Sequence, residues 1–266
     1  MFSSGHFLQS LWRKIVKMVK LMDKLLDKNI LVVGGSSGIG YGAAQILLDQ
    51  GAIVTIVSSS EGKVQSAIKR LSGKAKGAIG DVRDEAAFTR LLKSLGPFDH
   101  VIFSGVDKII RGNIADADLE NAKYLFGVKF WGAVVVGKAA AKYDIIKPGG
   151  SLTLTSGAAA LRPGKGAAIG GALNGGVVSL TQGLASDLAH KGIRVNTVVP
   201  GLVKTELWDK QGQTKEQQKQ TFDSVSSGLP VGFVASPDDI AEAYLYAVRA
   251  DYACGSLIVI DGGSVM

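Results

Sequence analysis

The chain has 266 residues, 46% of them apolar and 35 of them glycine, which suits one large α/β domain or two small ones with many tight turns. Its single cysteine, Cys254, excludes an internal disulfide framework and a cysteine-rich zinc site, and His6, His100 and His190 lie too far apart for a metal-ligand spacing. Residues 1–28 hold six basic side chains against two acids, a net of +4 out of the total of +7, so no nucleic-acid footprint extends over the whole molecule.

That basic segment is a helix candidate. Leu8, Leu11, Trp12, Ile15, Val19 and Met22 recur at three- and four-residue steps, with Arg13, Lys14, Lys17, Lys20 and Lys24 between them. We read residues 1–27 as a basic amphipathic extension and 28–266 as the domain proper. The extension has three open readings: packing on its own domain or a partner, peripheral contact with an anionic membrane, or a presequence, against which its single arginine argues. No apolar run of about 18 residues is present, so no segment is expected to cross a bilayer. The expected location is cytoplasmic, with any membrane contact made through the extension.

Ile30 to Val33 is an apolar run that enters Gly34-Gly35-Ser36-Ser37-Gly38-Ile39-Gly40, and Tyr41 to Gln50 reads as a helix. Strand, glycine turn and helix N-terminus together make an anion site: glycines let the backbone approach a phosphate, and the first helical N–H groups point at it. Further strands are predicted at Ala52–Val57, Ala78–Ile79, Asp99–Ser104, Ser151–Ser156, Ile193–Val199 and Ser256–Ile260. Helices are predicted at Glu61–Leu71, Asp84–Leu95, Leu119–Ala141, Ala172–His190 and Asp238–Arg249. The alternation implies a single Rossmann-like α/β domain, a doubly wound parallel sheet of about seven strands. Val203 to Ser236 is the longest irregular stretch and reads as a lid or substrate wall.

The second strand ends in Ser58-Ser59-Ser60 with Lys63 nearby, where an acid would have favoured NAD. Hydroxyls donate to a 2′-phosphate, so NADP is the expected cofactor.

These motifs resemble the short-chain dehydrogenase/reductase family over about residues 28–265. The resemblance rests on the glycine turn, Asp81-Val82, Arg194-Val195-Asn196, Pro200-Gly201-Leu202-Val203-Lys204-Thr205 and Asp261-Gly262-Gly263. It implies a cofactor site of Gly34, Ser36, Ser37, Gly38, Ile39, Gly40, Ser58, Ser59, Ser60, Asp81, Val82, Ser104, Gly105, Pro200, Gly201, Val203 and Thr205, with no metal. Asp81 and Val82 would flank the adenine, and Pro200 to Thr205 would meet the carboxamide.

The departures are informative. The family's Asn-Asn-Ala-Gly is Phe103-Ser104-Gly105-Val106 here. Its Tyr-x-x-x-Lys falls on Gly170 and Asn174, its serine on Ser156, and its asparagine on Lys129. The usual tyrosine is a general acid, so ordinary ketone reduction lacks its proton donor. An iminium needs no proton when the hydride arrives. The chain is similar to a secondary-metabolism offshoot that lost Tyr-x-x-x-Lys and reduces imine-like intermediates, some members also guiding intramolecular Diels–Alder cyclisation. Phe98-Asp99-His100 and Thr205-Glu206-Leu207-Trp208 add to that similarity. It implies an NADP-dependent reductase of an activated C=N or C=C bond, acting on a small-molecule imine or enone, with Lys129, Ser156 and Asp107 facing the substrate. It also implies a homodimer or homotetramer. The alternative is a catalytically silent cofactor-binding scaffold.

Overall fold

A computed structural model describes residues 23–266; the expected helix of the basic extension falls outside them apart from its last residues. Seven parallel strands form one sheet in the order β3-β2-β1-β4-β5-β6-β7. In chain order they are β1 (Asn29–Val33), β2 (Ile53–Ser58), β3 (Lys76–Ile79), β4 (Phe98–Phe103), β5 (Ile146–Thr155), β6 (Arg194–Pro200) and β7 (Leu257–Ile260). The register pairs Val33 with Val57 on one side and with Phe103 on the other. The direction of winding therefore reverses between β1 and β4. Ligands in such sheets bind beyond the carboxyl ends of the strands at that reversal.

Central strands are apolar on both faces, so each face needs a helical layer. On one side lie α1 (Gly38–Asp49), α2 (Glu61–Arg70) and α8 (Pro237–Arg249), which bury Leu47, Ala67 and Tyr244 against Ile30, Val32 and Ile56. On the other lie α3 (Glu85–Leu95), α4 (Leu119–Phe126), α5 (Gly132–Lys142) and α6 (Ala168–Asp187). Their Phe88, Val136 and Leu184 pack on Leu31, Val101 and Leu152. Glycine permits the closest helix approaches: a Cβ on Gly42 would lie 2.8 Å from the Pro237 carbonyl oxygen.

The expected long helix is continuous but not uniform. Between α4 and α5, residues Gly127–Trp131 form a π-helical turn, the kind of local widening often found at functional sites. By length and composition the stretch Leu119–Lys142 is apolar enough to cross a membrane. Its Ala133, Val136 and Ala140 are instead buried against the sheet, as in a core helix.

The largest correction concerns Val203 to Ser236. The stretch contains a 3-10 segment, Glu206–Gln211, and then a 14-residue helix, α7 (Lys215–Gly228). Thr214 and Gln217 close a reciprocal capping box at its start. The helix α6 begins at Ala168, a turn earlier than expected, so Gly170 and Asn174 are both helical. At the amino end of the sheet, Leu25 is buried and Lys24 bonds Asp251 at 2.6 Å, so these two residues pack on the domain.

Candidate cofactor and substrate site

The glycine turn is shaped by steric need. Gly34 and Gly38 have φ of +84° and +54°, a region that disfavours other side chains. A Cβ on Gly34 would sit 2.8 Å from the Gly105 nitrogen, and one on Gly40 would overlap Ser104 Oγ and the Gly34 carbonyl. Ser104 ties the two strand ends together, its N–H donating to the Val33 carbonyl at 2.9 Å. Gly34, Gly40, Ser104 and Gly105 are thus one close-packed unit at the β1/β4 reversal.

The N-terminus of α1 already holds an anion. The Gly38 N–H donates to Glu206 Oε2 at 3.0 Å, although Glu206 is 168 residues away in sequence. Ser37 occupies the N-cap without a side-chain capping bond. The donor set therefore fits a phosphate: free helical N–H, a left-handed glycine and a carboxylate standing in for the anion.

Arg70, at the end of α2, adds a cation that the sequence reading missed. Its Nη2 donates to the Ser36 carbonyl at 2.8 Å, its Nη1 lies 3.8 Å from Glu206 Oε1, and its guanidinium stacks 4.1 Å above the Tyr41 ring. Nothing local in sequence marks it, because it reaches the turn from 34 residues away.

The other expected cofactor residues line the same edge. Ser58 and Ser59 end and follow β2, while Ser60 caps α2, accepting from the Lys63 N–H at 3.5 Å. Asp81 is forked onto Arg83, with Nε 3.0 Å from Oδ1, and this pairing holds its carboxyl below the usual range. Val82 is buried, close to the Gly132 Cα, where an added Cβ would come within 2.7 Å. Pro200 closes β6, and a Cβ on Gly201 would meet the Asp261 backbone at 2.8 Å. Val203 bridges Ala235, and Thr205 Oγ1 accepts from the Leu207 N–H at 3.3 Å to start the 3-10 segment.

The structure brings together Lys129, Ser156 and Asn174. Lys129 stands in the π-helical turn, and its Nζ donates to the Ser156 carbonyl at 2.9 Å and to Asn174 Oδ1 at 2.7 Å. Asn174 passes the chain on, its Nδ2 donating to the Gly170 carbonyl at 2.8 Å. Burial pushes the Lys129 ammonium down to about 8. The Ser156 hydroxyl donates to the Asn174 carbonyl at 2.9 Å, which leaves its lone pairs as the free part of the group.

No tyrosine or lysine occurs in α6. The place of the first is filled from outside: a Cβ on Gly170 would approach the Ile110 carbonyl oxygen to 2.7 Å. The loop after β4 thus presses onto the helix there, and Gly112 N–H to Gly166 O at 2.9 Å fixes it. Tyr244 offers no substitute. It is fully buried and bonded at 2.6 Å to Thr155 Oγ1, whose own proton goes to the Phe103 carbonyl, so the phenol is the donor.

Asp107 is engaged apart from that cluster. It accepts from Lys210 of the 3-10 segment and from the Tyr124 hydroxyl at 3.3 Å, and Lys210 holds its carboxyl below the ordinary range. Trp208 is a packing residue, buried, with Nε1 2.9 Å from the Val203 carbonyl and its ring edge-on to Phe222. Phe98-Asp99-His100 lies at the amino end of β4. There Asp99 pairs with Lys147 at 3.0 Å, and buried His100, lowered to about 4 by desolvation, meets Ser151 Oγ at 2.9 Å. That triplet is structural. Among the described residues no cluster of metal-ligating side chains is present.

Residues 33–265 match the family profile described as enoyl-(acyl carrier protein) reductase. The chain is 31% identical to the short-chain dehydrogenase/reductase fsr5 of Gibberella fujikuroi, over 93% of this chain and 98% of that protein. It is also 31% identical to the short-chain dehydrogenase/reductase malC of Malbranchea aurantiaca, over 92% and 97% respectively. Among solved structures, a small-chain dehydrogenase in complex with NADPH is 35% identical with a TM-score of 0.77, covering 90% of this chain and 99% of its own. The MalC reductase/Diels–Alderase is 29% identical with a TM-score of 0.82, covering 91% and 98%.

Proposed function

The chain belongs to the short-chain dehydrogenase/reductase family, and from that premise we propose that it is an NADP-dependent reductase of an activated C=N or C=C bond in a secondary-metabolite pathway. The observation that carries the reading is Lys129. A partly buried ammonium, pushed to about 8, stands beside Ser156 and bonds the residue, Asn174, at the family's lysine position. On that register lysine and asparagine exchange helices, which would keep the cation while giving up the tyrosine.

The glycine cradle, Asp81 and the Pro200–Thr205 turn would hold the cofactor, with the Gly38 N–H facing a phosphate. The relative of known structure that carries NADPH supports this choice, as do the serines after β2 and Arg70 beside the glycine turn. When bound, a reduced nicotinamide supplies hydride. The chain's own part is to seat an acceptor and to manage charge on it. Lys129 can hold a carbonyl or enolate oxygen, or give up its proton near pH 8, because burial has weakened its hold on that proton. Ser156 can accept a hydrogen bond from a substrate N–H.

The likeness to a reductase/Diels–Alderase extends the proposal to guiding a cyclisation, although Arg162 to Ile169 contains no acid to assist one. The scaffold reading has its own support: the Ser156 proton is committed to Asn174, and Asp107 is committed to Lys210. The test is purified protein with deuterium-labelled NADPH and a set of imine and enone acceptors, followed by mass spectrometry. Deuterium in a product supports the reductase. Tight NADPH binding with label retained across the whole set supports the scaffold.

A further inference from the structure

Among the described residues, Glu206 is the acid that reaches the N-terminus of α1, and it arrives from the first residue of the 3-10 segment over the site. Its two oxygens are used differently. Oε2 accepts from the Gly38 N–H at 3.0 Å, and Oε1 lies 3.8 Å from Arg70 Nη1. The carboxylate thus has what a phosphate oxygen would use: a helix-end N–H and a guanidinium. At its other end the same segment is fastened by Lys210 to Asp107 on the loop after β4. The strap therefore lies across the β1/β4 reversal with an anion at one end and a cation at the other.

We propose that Glu206 is an internal stand-in for a cofactor phosphate, and so a residue that sets nucleotide affinity by competing for the Gly38 N–H and Arg70. The inference rests on the reading that this edge takes a dinucleotide, and adds a cost to its binding. One N–H cannot serve a carboxylate and a phosphate oxygen at full strength, and two anions in one seat repel. Entry of the phosphate displaces Glu206, frees Arg70 from its carboxylate partner and releases that end of the strap. Nucleotide binding and movement of the segment over the substrate are then one event, with the strap held closed from within until a phosphate arrives.

The contact is matched in length as well as charge. Glutamate spans from Thr205, whose Cγ2 would be 3.4 Å from a Gly38 Cβ, to the helix end. Aspartate at 206 would fall a methylene short. Glutamine would keep the length and an acceptor oxygen but not the charge.

Calorimetry of NADPH with wild type, Glu206→Gln and Glu206→Asp tests this. Glu206→Gln should bind about tenfold tighter, since losing a charge at a helix end is worth that order. Glu206→Asp should fall between. Inorganic pyrophosphate, which carries no nicotinamide or adenine, should show the same order. A second readout is amide hydrogen exchange over Glu206–Gln211, which should be faster in Glu206→Gln without nucleotide and should quicken in wild type when pyrophosphate is added. Equal or weaker NADPH binding by Glu206→Gln overturns the proposal and leaves the dinucleotide reading standing. No binding of NADPH to any of the three proteins overturns both.

Discussion

A single lysine ammonium carries most of the proposed chemistry. Lys129 is held by two acceptors and lies where burial has lowered its proton affinity to about 8. Lys129→Met keeps most of the stem and removes the charge. Hydride transfer in single turnover should fall about a hundredfold, the usual scale for one electrostatic contact at a reacting centre of about 3 kcal/mol. NADPH affinity should stay within about twofold of wild type. Wild-type transfer should also decline as pH rises through about 8, as the ammonium is lost, and the variant should lack that limb. Stability gives an independent check with the opposite slope. The folded state holds this proton less tightly than the unfolded chain, whose lysine keeps the ordinary 10.5. Between those values the unfolded state binds more protons, so thermal stability gains a rising contribution with pH there. Lys129→Met should lose that contribution. If rate, its pH dependence and stability all match wild type, Lys129 is a bystander.

Arg70 acts through position rather than charge balance alone. It stacks on Tyr41 and bonds the Ser36 carbonyl, on the flank of the glycine turn. Arg70→Met should weaken NADH through the diphosphate that Arg70 shares with the Gly38 N–H, and NADPH about tenfold further, since only NADPH adds a 2′-phosphate that a guanidinium recognises. Calorimetric affinities for the two nucleotides decide it. An unchanged ratio would return the cofactor preference to Ser58, Ser59 and Ser60.

At the scale of elements, the strands were legible because β-branched runs buried on both faces have few other homes. Each expected strand appears, and β5 extends further back to Ile146 through Pro148 and Gly149. The helix α7 was not legible by apolar period, since Lys215 to Gly228 is mostly Gln, Lys and Ser. Its start was written locally in Thr214-x-x-Gln217, a capping box that composition obscured. Counting from the small-residue helix put the family's two positions on Gly170 and Asn174; the structure makes both helical and sets Asn174 against Lys129. What no local pattern could show is contact between elements. Glu206 on Gly38, Arg70 on Ser36 and Lys210 on Asp107 each join segments far apart in sequence.

One such contact explains why the tyrosine position cannot simply be refilled. Gly170 faces the Ile110 carbonyl, so even a methyl group there requires the loop after β4 to move. Gly170→Ala gains helix propensity of up to ~1 kcal/mol but should still destabilise by roughly 1–2 kcal/mol net, because overpacking against backbone outweighs it. Urea denaturation gives the sign. A more stable variant would mean that the loop yields freely and that α6 could carry a tyrosine.

The whole molecule places every one of these groups at one edge of one sheet, on either side of the β1/β4 reversal, and leaves a different face open. Along α6, Ala172, Ser179 and Gly183 are exposed, and Gly175 and Gly183 have nothing within 4 Å of where a Cβ would stand. Their three- and four-residue spacing makes a shallow lane down one side of the helix. Beside it, the turn between α4 and α5 exposes Trp131 at 58%. An aromatic ring next to a lane of small residues suits close packing against a second copy related by two-fold symmetry, where each helix meets its own equivalent. Family members commonly pair through these two helices, and the same arrangement is our expectation here: a homodimer, or a tetramer built from it. Sedimentation at micromolar concentration should show no dominant monomer. Gly183→Arg projects a long charged side chain from the C-terminal end of the lane without touching the core, so it should produce monomers that still bind NADPH. If wild type is itself monomeric, the lane is ordinary surface. If Gly183→Arg remains fully associated, the subunits meet elsewhere, and Trp131 is then the next position to change.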